Sequence, residues 1–98
     1  MTTKDYILSK IRSHKTELYK FGVQSVGLFG SYVREEQSEG SDIDILIDFN
    51  PGKENFDNYM MICDYFEKLF KKERVEIVTK NGLSPHIGPS ILKEVLYV

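Results

Sequence analysis

The segment Asp42-Ile43-Asp44-Ile45-Leu46-Ile47-Asp48-Phe49 constrains the fold more than any other part of the chain. Side chains on an extended backbone alternate between two faces. Ile43, Ile45, Ile47 and Phe49 therefore share one face, and Asp42, Asp44, Leu46 and Asp48 share the other. So continuous an apolar face needs another layer packed on it, which predicts a β-strand over a core. The Asn50-Pro51-Gly52 turn closes the strand. The second face raises a separate question. Asp42 and Asp44 are neighbours on it, roughly 7 Å apart along the strand, so their carboxylates can converge. Like charges that close together disfavour each other unless something positive lies between them. Asp48, roughly 13 Å beyond Asp44, is too far away to join them.

The rest of the chain supplies elements to cover that strand. Thr2 followed by Asp5 fits a capping box, and Ile7, Ile11, Leu18 and Phe21 then form a helical stripe that stops at Gly22. Val23–Phe29 reads as a strand ended by Gly30. Ser31 to about Gln37 reads as two turns of helix, and Glu39-Gly40-Ser41 as a loop. The longest helix spans roughly Asn55 to Lys72, with Phe56, Tyr59, Met60, Ile62, Cys63, Phe66, Leu69 and Phe70 on its stripe. A third strand runs from Arg74 to Thr79, and Asn81-Gly82 marks a turn. Ser84-Pro85 starts a helix that Gly88-Pro89 interrupts, and Ile91, Leu92, Val95 and Leu96 form a last helical face. This order predicts an α/β (α+β) fold, a small mixed sheet of about three strands flanked by helices, as one domain over 1–98.

Composition narrows the function by exclusion. At 98 residues, 41% hydrophobic and 29% charged, the chain is an ordinary globular domain with no apolar run of membrane-spanning length. Residues Met1–Asp5 have no apolar core for a signal peptide. Cys63 is the only cysteine, so no internal disulfide forms and a cytoplasmic location is the simplest expectation. The net charge of -2 argues against a dedicated nucleic-acid binder. His14 and His86 have no partners at zinc-ligand spacing.

What remains is the acidic strand and its surroundings. Alternating acids are common on the wet face of an edge strand. They also suit a hard divalent cation such as Mg²⁺, which takes oxygen ligands and shares its shell with phosphate. The Gly30-Ser31 turn favours the second reading. A strand ending in glycine and entering a helix exposes backbone N–H groups that favour phosphate. The Ser31 hydroxyl adds a donor, and Arg34 projects on the same side one turn later. The pattern of a P-loop is absent, so phosphate would be held by this turn together with metal. Glu76, on the third strand, reaches the same zone if that strand lies beside the second. A lone exposed strand glutamate more often serves solubility.

Gly30-Ser31, then Arg34, then Ser41-Asp42-Ile43-Asp44-Ile45-Leu46 resemble the signature of the DNA polymerase beta-like nucleotidyltransferases, and most closely their minimal nucleotidyltransferase domains. The likeness runs over nearly the whole chain, through Pro51-Gly52-Lys53 to Ile91-Leu92-Lys93-Glu94-Val95. It implies the nucleotidyltransferase fold. It also implies a nucleotide and phosphate site at Gly30, Ser31, Arg34 and Ser41, and one or two Mg²⁺ ions on Asp42, Asp44 and Glu76. ATP is then the substrate, and AMP passes to a hydroxyl, expected to be a tyrosine, of a HEPN ribonuclease toxin for which the chain is the antitoxin. Three positions depart from the pattern: Glu76 where aspartate is usual, Glu35 where many relatives have glycine, and Gly88-Pro89 in a more basic stretch. These departures keep open an antitoxin that neutralises by binding alone. A small-molecule acceptor is disfavoured because no residues are left for an acceptor domain. The acceptor must bind an open face, for which Tyr59, Tyr65, Ile91 and Tyr97 are candidates.

Overall fold

The computed structural model describes residues 2–98. Its centre is a mixed sheet of four strands, β1 (Val23–Phe29), β2 (Ile43–Phe49), β3 (Val75–Thr79) and β4 (Leu96–Tyr97), in the order β3-β2-β1-β4. β1 runs antiparallel to β2 and to β4, and β2 runs parallel to β3. The long helix between β2 and β3 is the crossover that a parallel pair requires.

The apolar face of β2 lies where its alternation places it. Ile43, Ile45 and Ile47 are fully buried and Phe49 nearly so. They pack in one cluster with Val26 and Leu28 of β1 and with the helices on that side: Ile7 and Ile11, Leu18, and Ile62, Phe66 and Phe70. Each such side chain contributes about 1.5–3 kcal/mol by leaving water. The opposite face is only partly wet, with Asp44 and Asp48 half-buried. Leu46 is as buried as the core isoleucines, and Leu83, Ile87 and Ile91 line a pocket together with Phe29, Asp44 and Val78 of the sheet.

The leading helix is two helices, α1 (Lys4–Ser13) and α2 (Lys15–Lys20). Its cap is Thr3, whose hydroxyl accepts from the Tyr6 N–H at 3.2 Å, and not Thr2. At the break, Ser13 Oγ donates to the Ser9 carbonyl and His14 Nδ1 to the Lys10 carbonyl, each at 2.8 Å. Such side-chain bonds to carbonyls compete with the helix ladder. After β1, α3 (Ser31–Arg34) is one turn and stops before the expected Gln37. Glu35 adopts the left-handed conformation at φ 57°. The Glu36 N–H donates to the Ser31 carbonyl at 2.9 Å and the Glu35 N–H to the Tyr32 carbonyl at 3.4 Å. This is a Schellman closure with glutamate at the position that usually takes glycine, so its usual sequence signal is missing.

The crossover helix, α4 (Phe56–Leu69), is capped by Asn55, whose side chain accepts from the Asn58 N–H at 2.8 Å. Its buried stripe is Ile62 and Phe66, continued by Phe70, while Phe56 (76% exposed) and Met60 face solvent. The C-terminal segment departs furthest from its sequence spacing. The helix α5 spans Gly88–Glu94, with Pro89 in its first turn. Proline is tolerated there because the N–H it lacks has no intrahelical partner. Val95 is already extended, and Leu96 and Tyr97 form β4 where a helical face was expected. Gly27 makes this pairing possible: a Cβ there would collide with Val95 Cγ2 and crowd the Leu96 carbonyl and the Tyr97 ring. Strand pairing overrides the local helical spacing.

Candidate functional site

The site forms where β1 ends beside the start of β2. Phe29 pairs with Asp44, and the next residue, Gly30, has φ 85° and ψ -155°. That region is essentially reserved for glycine. A Cβ on Gly30 would overlap the Asp44 carboxylate. Gly30 is therefore required both by its own backbone and by its acidic neighbour. Ser31 follows at once as the first residue of α3, and the Val33 and Arg34 N–H groups donate back to the Gly30 carbonyl.

The parallel register sets Asp44 directly beside Glu76, on strands roughly 4.8 Å apart. The Asp44 carboxyl is pushed up from 3.8 to about 6, first by burial, then by the negative charges of Glu76 and Asp42 and a hydrogen bond to Glu76, with Arg34 opposing. Asp42 is turned toward a cation: its Oδ1 lies 3.3 Å from Arg74 Nε, and its Oδ2 accepts from Arg74 Nη2 at 3.4 Å. The structure thus brings Asp44 and Glu76 together, with Asp42 adjacent but paired outward. Among the described residues, no three His, Cys, Asp or Glu side chains already stand in a metal-holding arrangement. The donor set still fits a hard cation. It is all carboxylate oxygen, its negative charges raise the Asp44 pKa, and a divalent ion would relieve that repulsion. Ser41 lies beside Asp42, and its hydroxyl closes the preceding loop by accepting from the Ser38 N–H at 2.9 Å.

Arg34 is held by two carboxylates, Glu36 through Nε and Glu94 through Nη1, both at 2.7 Å. The other Glu94 oxygen accepts from the Gly30 N–H at 2.7 Å. Glu94 is the residue that sequence reasoning missed. It sits in the closing Ile91–Val95 stretch, sixty or more residues from both partners, and nothing local to it signals the contact.

Two cavities flank the carboxylates. The larger, about 680 Å³, lies on the Asp42 side and is lined by Tyr32, Gln37, Ser41, Lys72 and Arg74, but not by Gly30, Ser31 or Asp44. The smaller, about 260 Å³, has Asp44 and Glu76 in its wall, with Phe29, Leu83, Ile87 and Ile91 around them. Size favours the first and chemistry the second, since only the second contains the carboxylate pair. Of the expected contact residues, Ile91 lines that smaller pocket and Tyr97 is exposed on β4. The Tyr59 hydroxyl donates to the Ile77 carbonyl at 3.2 Å and the Tyr65 hydroxyl to Glu17 at 2.9 Å, so both are engaged within the fold.

Residues 8–98 match the family described as Nucleotidyltransferase domain. The chain is 41% identical over 99 residues to the protein adenylyltransferase MntA of Thermococcus cleftensis, covering 100% of this chain and 98% of that one. It is 38% identical over 101 residues to a Methanocaldococcus jannaschii protein provisionally named for the same activity, covering 100% of both. A solved structure provisionally described as a minimal nucleotidyltransferase superposes with a TM-score of 0.81 at 26% identity, over 97% of this chain and 95% of that one. The same fold appears in a toxin–antitoxin structure with AMP-PNP, at a TM-score of 0.66 and 18% identity over 87% of this chain and 69% of that one. It appears again in a mutant of the toxin–antitoxin pair MntA–HpeT, at 0.62 and 14% over 98% and 71%.

Proposed function

The chain belongs to the nucleotidyltransferase domain family and is a nucleotidyltransferase; from that premise we propose that it is a Mg²⁺-dependent protein adenylyltransferase, an antitoxin that transfers AMP from ATP to a tyrosine hydroxyl of a HEPN ribonuclease toxin. The observation that carries this reading is the Asp44–Glu76 register pair lying against the Gly30 turn. The name of the Thermococcus relative supports the activity. The toxin–antitoxin structures support the partner and the nucleotide. The site is read as cytoplasmic, where ATP is available and Cys63 stays reduced. Neither lipid nor nucleic acid is needed as a direct ligand in this reading.

Asp42, Asp44 and Glu76 would hold one or two Mg²⁺ ions, which neutralise phosphate charge, favour ionisation of the acceptor hydroxyl and stabilise the leaving pyrophosphate. The Gly30 N–H and the Ser31 hydroxyl donate to phosphate oxygens, and Arg34 pairs with them. Ser41 borders the nucleotide beside Asp42. The acceptor oxygen attacks the α-phosphorus, the bond to the bridging oxygen breaks, and pyrophosphate leaves. Glu76, at the exposed rim of the pair, takes the acceptor proton. Phe29, Leu83, Ile87 and Ile91 give the acceptor side of the carboxylate pair an apolar wall.

A second reading, neutralisation by binding alone, is favoured by one observation: Asp42 is paired with the exposed Arg74. Labelled ATP, Mg²⁺ and the proposed HEPN partner separate the two. Transfer is expected with the wild type and is lost in Asp42→Asn/Asp44→Asn. Absence of label with the wild type, while that double variant still neutralises the toxin, establishes binding alone.

A further inference from the structure

The two donors on which Glu94 rests are ones the proposed phosphate subsite offers. One carboxylate oxygen takes the Gly30 N–H and the other takes Arg34 Nη1, each at 2.7 Å. A bridging phosphate would use its oxygens on that same backbone amide and guanidinium. We propose that Glu94 is a built-in occupant of the phosphate subsite, a specificity residue that a nucleotide's phosphates must displace from Gly30 and Arg34 before they bind. This rests on the reading of Gly30 and Arg34 as phosphate donors.

Three further observations bear on it. The Glu94 side chain is only 20% exposed, whereas Glu36, the other partner of Arg34, is 64% exposed. Glu94 is thus the partner held inside the site. Burial pushes its carboxyl up, yet the hydrogen bonds from Arg34 and Gly30 hold it below the usual range, so it stays ionised. Arg34 already serves two carboxylates, so an arriving phosphate with Glu94 in place would set three anions on one guanidinium, each repelling the others. A ligand that brings several phosphates displaces the carboxylate most readily. A nucleoside or a monophosphate has less charge to offer in exchange, so Glu94 selects for polyphosphate.

The dissociation constants of ATP, inorganic tripolyphosphate and adenosine, measured by calorimetry for the wild type and for Glu94→Gln, test this. Glutamine keeps the size and an acceptor for the Gly30 N–H but removes the charge. ATP and tripolyphosphate should bind Glu94→Gln about tenfold tighter, the worth of one charge-assisted hydrogen bond, while adenosine is unchanged. Equal or weaker tripolyphosphate binding in Glu94→Gln would make the carboxylate a support for Arg34 and overturn the proposal. The wild type offers a second readout that needs no variant: saturating ATP should shift the NMR signal of the Glu94 side-chain carboxyl, and an unmoved signal overturns the displacement. If the wild type binds neither ATP nor tripolyphosphate, the proposed function itself fails and this inference falls with it.

Discussion

Replacing Asp44 by asparagine should make the metal-free protein more stable while abolishing transfer. The unfolded carboxyl titrates near 3.8 and the folded one near about 6. Below 3.8 the group is neutral in both states and contributes no difference. Between the two values the folded protein keeps a proton that the unfolded chain has released, so stability falls as pH rises. Above about 6 the loss is complete. At about 1.4 kcal/mol per pKa unit, the full loss is about 3 kcal/mol. Asp44 is only part-buried, and solvent screening reduces this to about 1–2 kcal/mol. Urea unfolding in the presence of a chelator measures it. Asp44→Asn should exceed the wild type by that amount at pH 8 and by about half as much at pH 5, and Mg²⁺ should narrow the gap by stabilising only the wild type. A variant no more stable than wild type at pH 8, or a gap independent of pH, would refute the claim that Asp44 is held against its ionisation.

Other substitutions probe the frame around that group. Gly30→Ala should lower stability by about 1–3 kcal/mol through backbone strain and should also lose transfer, because the new Cβ displaces the Asp44 carboxylate; thermal unfolding and the labelling assay read the two effects. Glu35→Gly should stabilise by about 0.5–1 kcal/mol by relieving the left-handed glutamate, the 3.3 Å pair with Lys4 offsetting little of it because Glu35 is exposed; a lower melting temperature would show that the strain is not there. Phe66→Ala should cost about 3–5 kcal/mol as a core cavity, seen in the urea midpoint. Gly27→Val should detach β4 without unfolding the rest, giving faster hydrogen exchange at the Val98 N–H, which donates to the Val26 carbonyl.

The central strand β2 was legible because alternation at Ile43, Ile45, Ile47 and Phe49 leaves one solution, and the other face of the same segment carried the Asp42 and Asp44 pattern. A helical crossover after β2 makes β3 parallel to it, but the register that sets Glu76 opposite Asp44 is visible only in the folded sheet. What stayed hidden was decided by contacts distant in sequence or by missing local signals. Val95 and Leu96 continue the apolar spacing of Ile91 and Leu92, but pairing with β1 across Gly27 makes that segment a strand. Glu35 ends α3 without the glycine that would announce it. The stripe on α4 was overdrawn at Phe56 and Met60, because periodicity shows which way a side chain faces but not where the sheet beneath it ends. Glu94 had no local motif at all, since its role exists only once α5 folds back over the Gly30 turn.

In the proposed mechanism the Gly30 turn and the carboxylates of β2 and β3 form one nucleotide–metal site. Paramagnetic line broadening by substoichiometric Mn²⁺ with ATP, read on backbone amides, tests it most directly. Broadening centred on residues 29–32, 42–46 and 75–77, and absent from Asp42→Asn/Asp44→Asn, is the predicted result. Broadening centred instead near Lys72 in the larger cleft, or unaffected by removing the two aspartates, would contradict it.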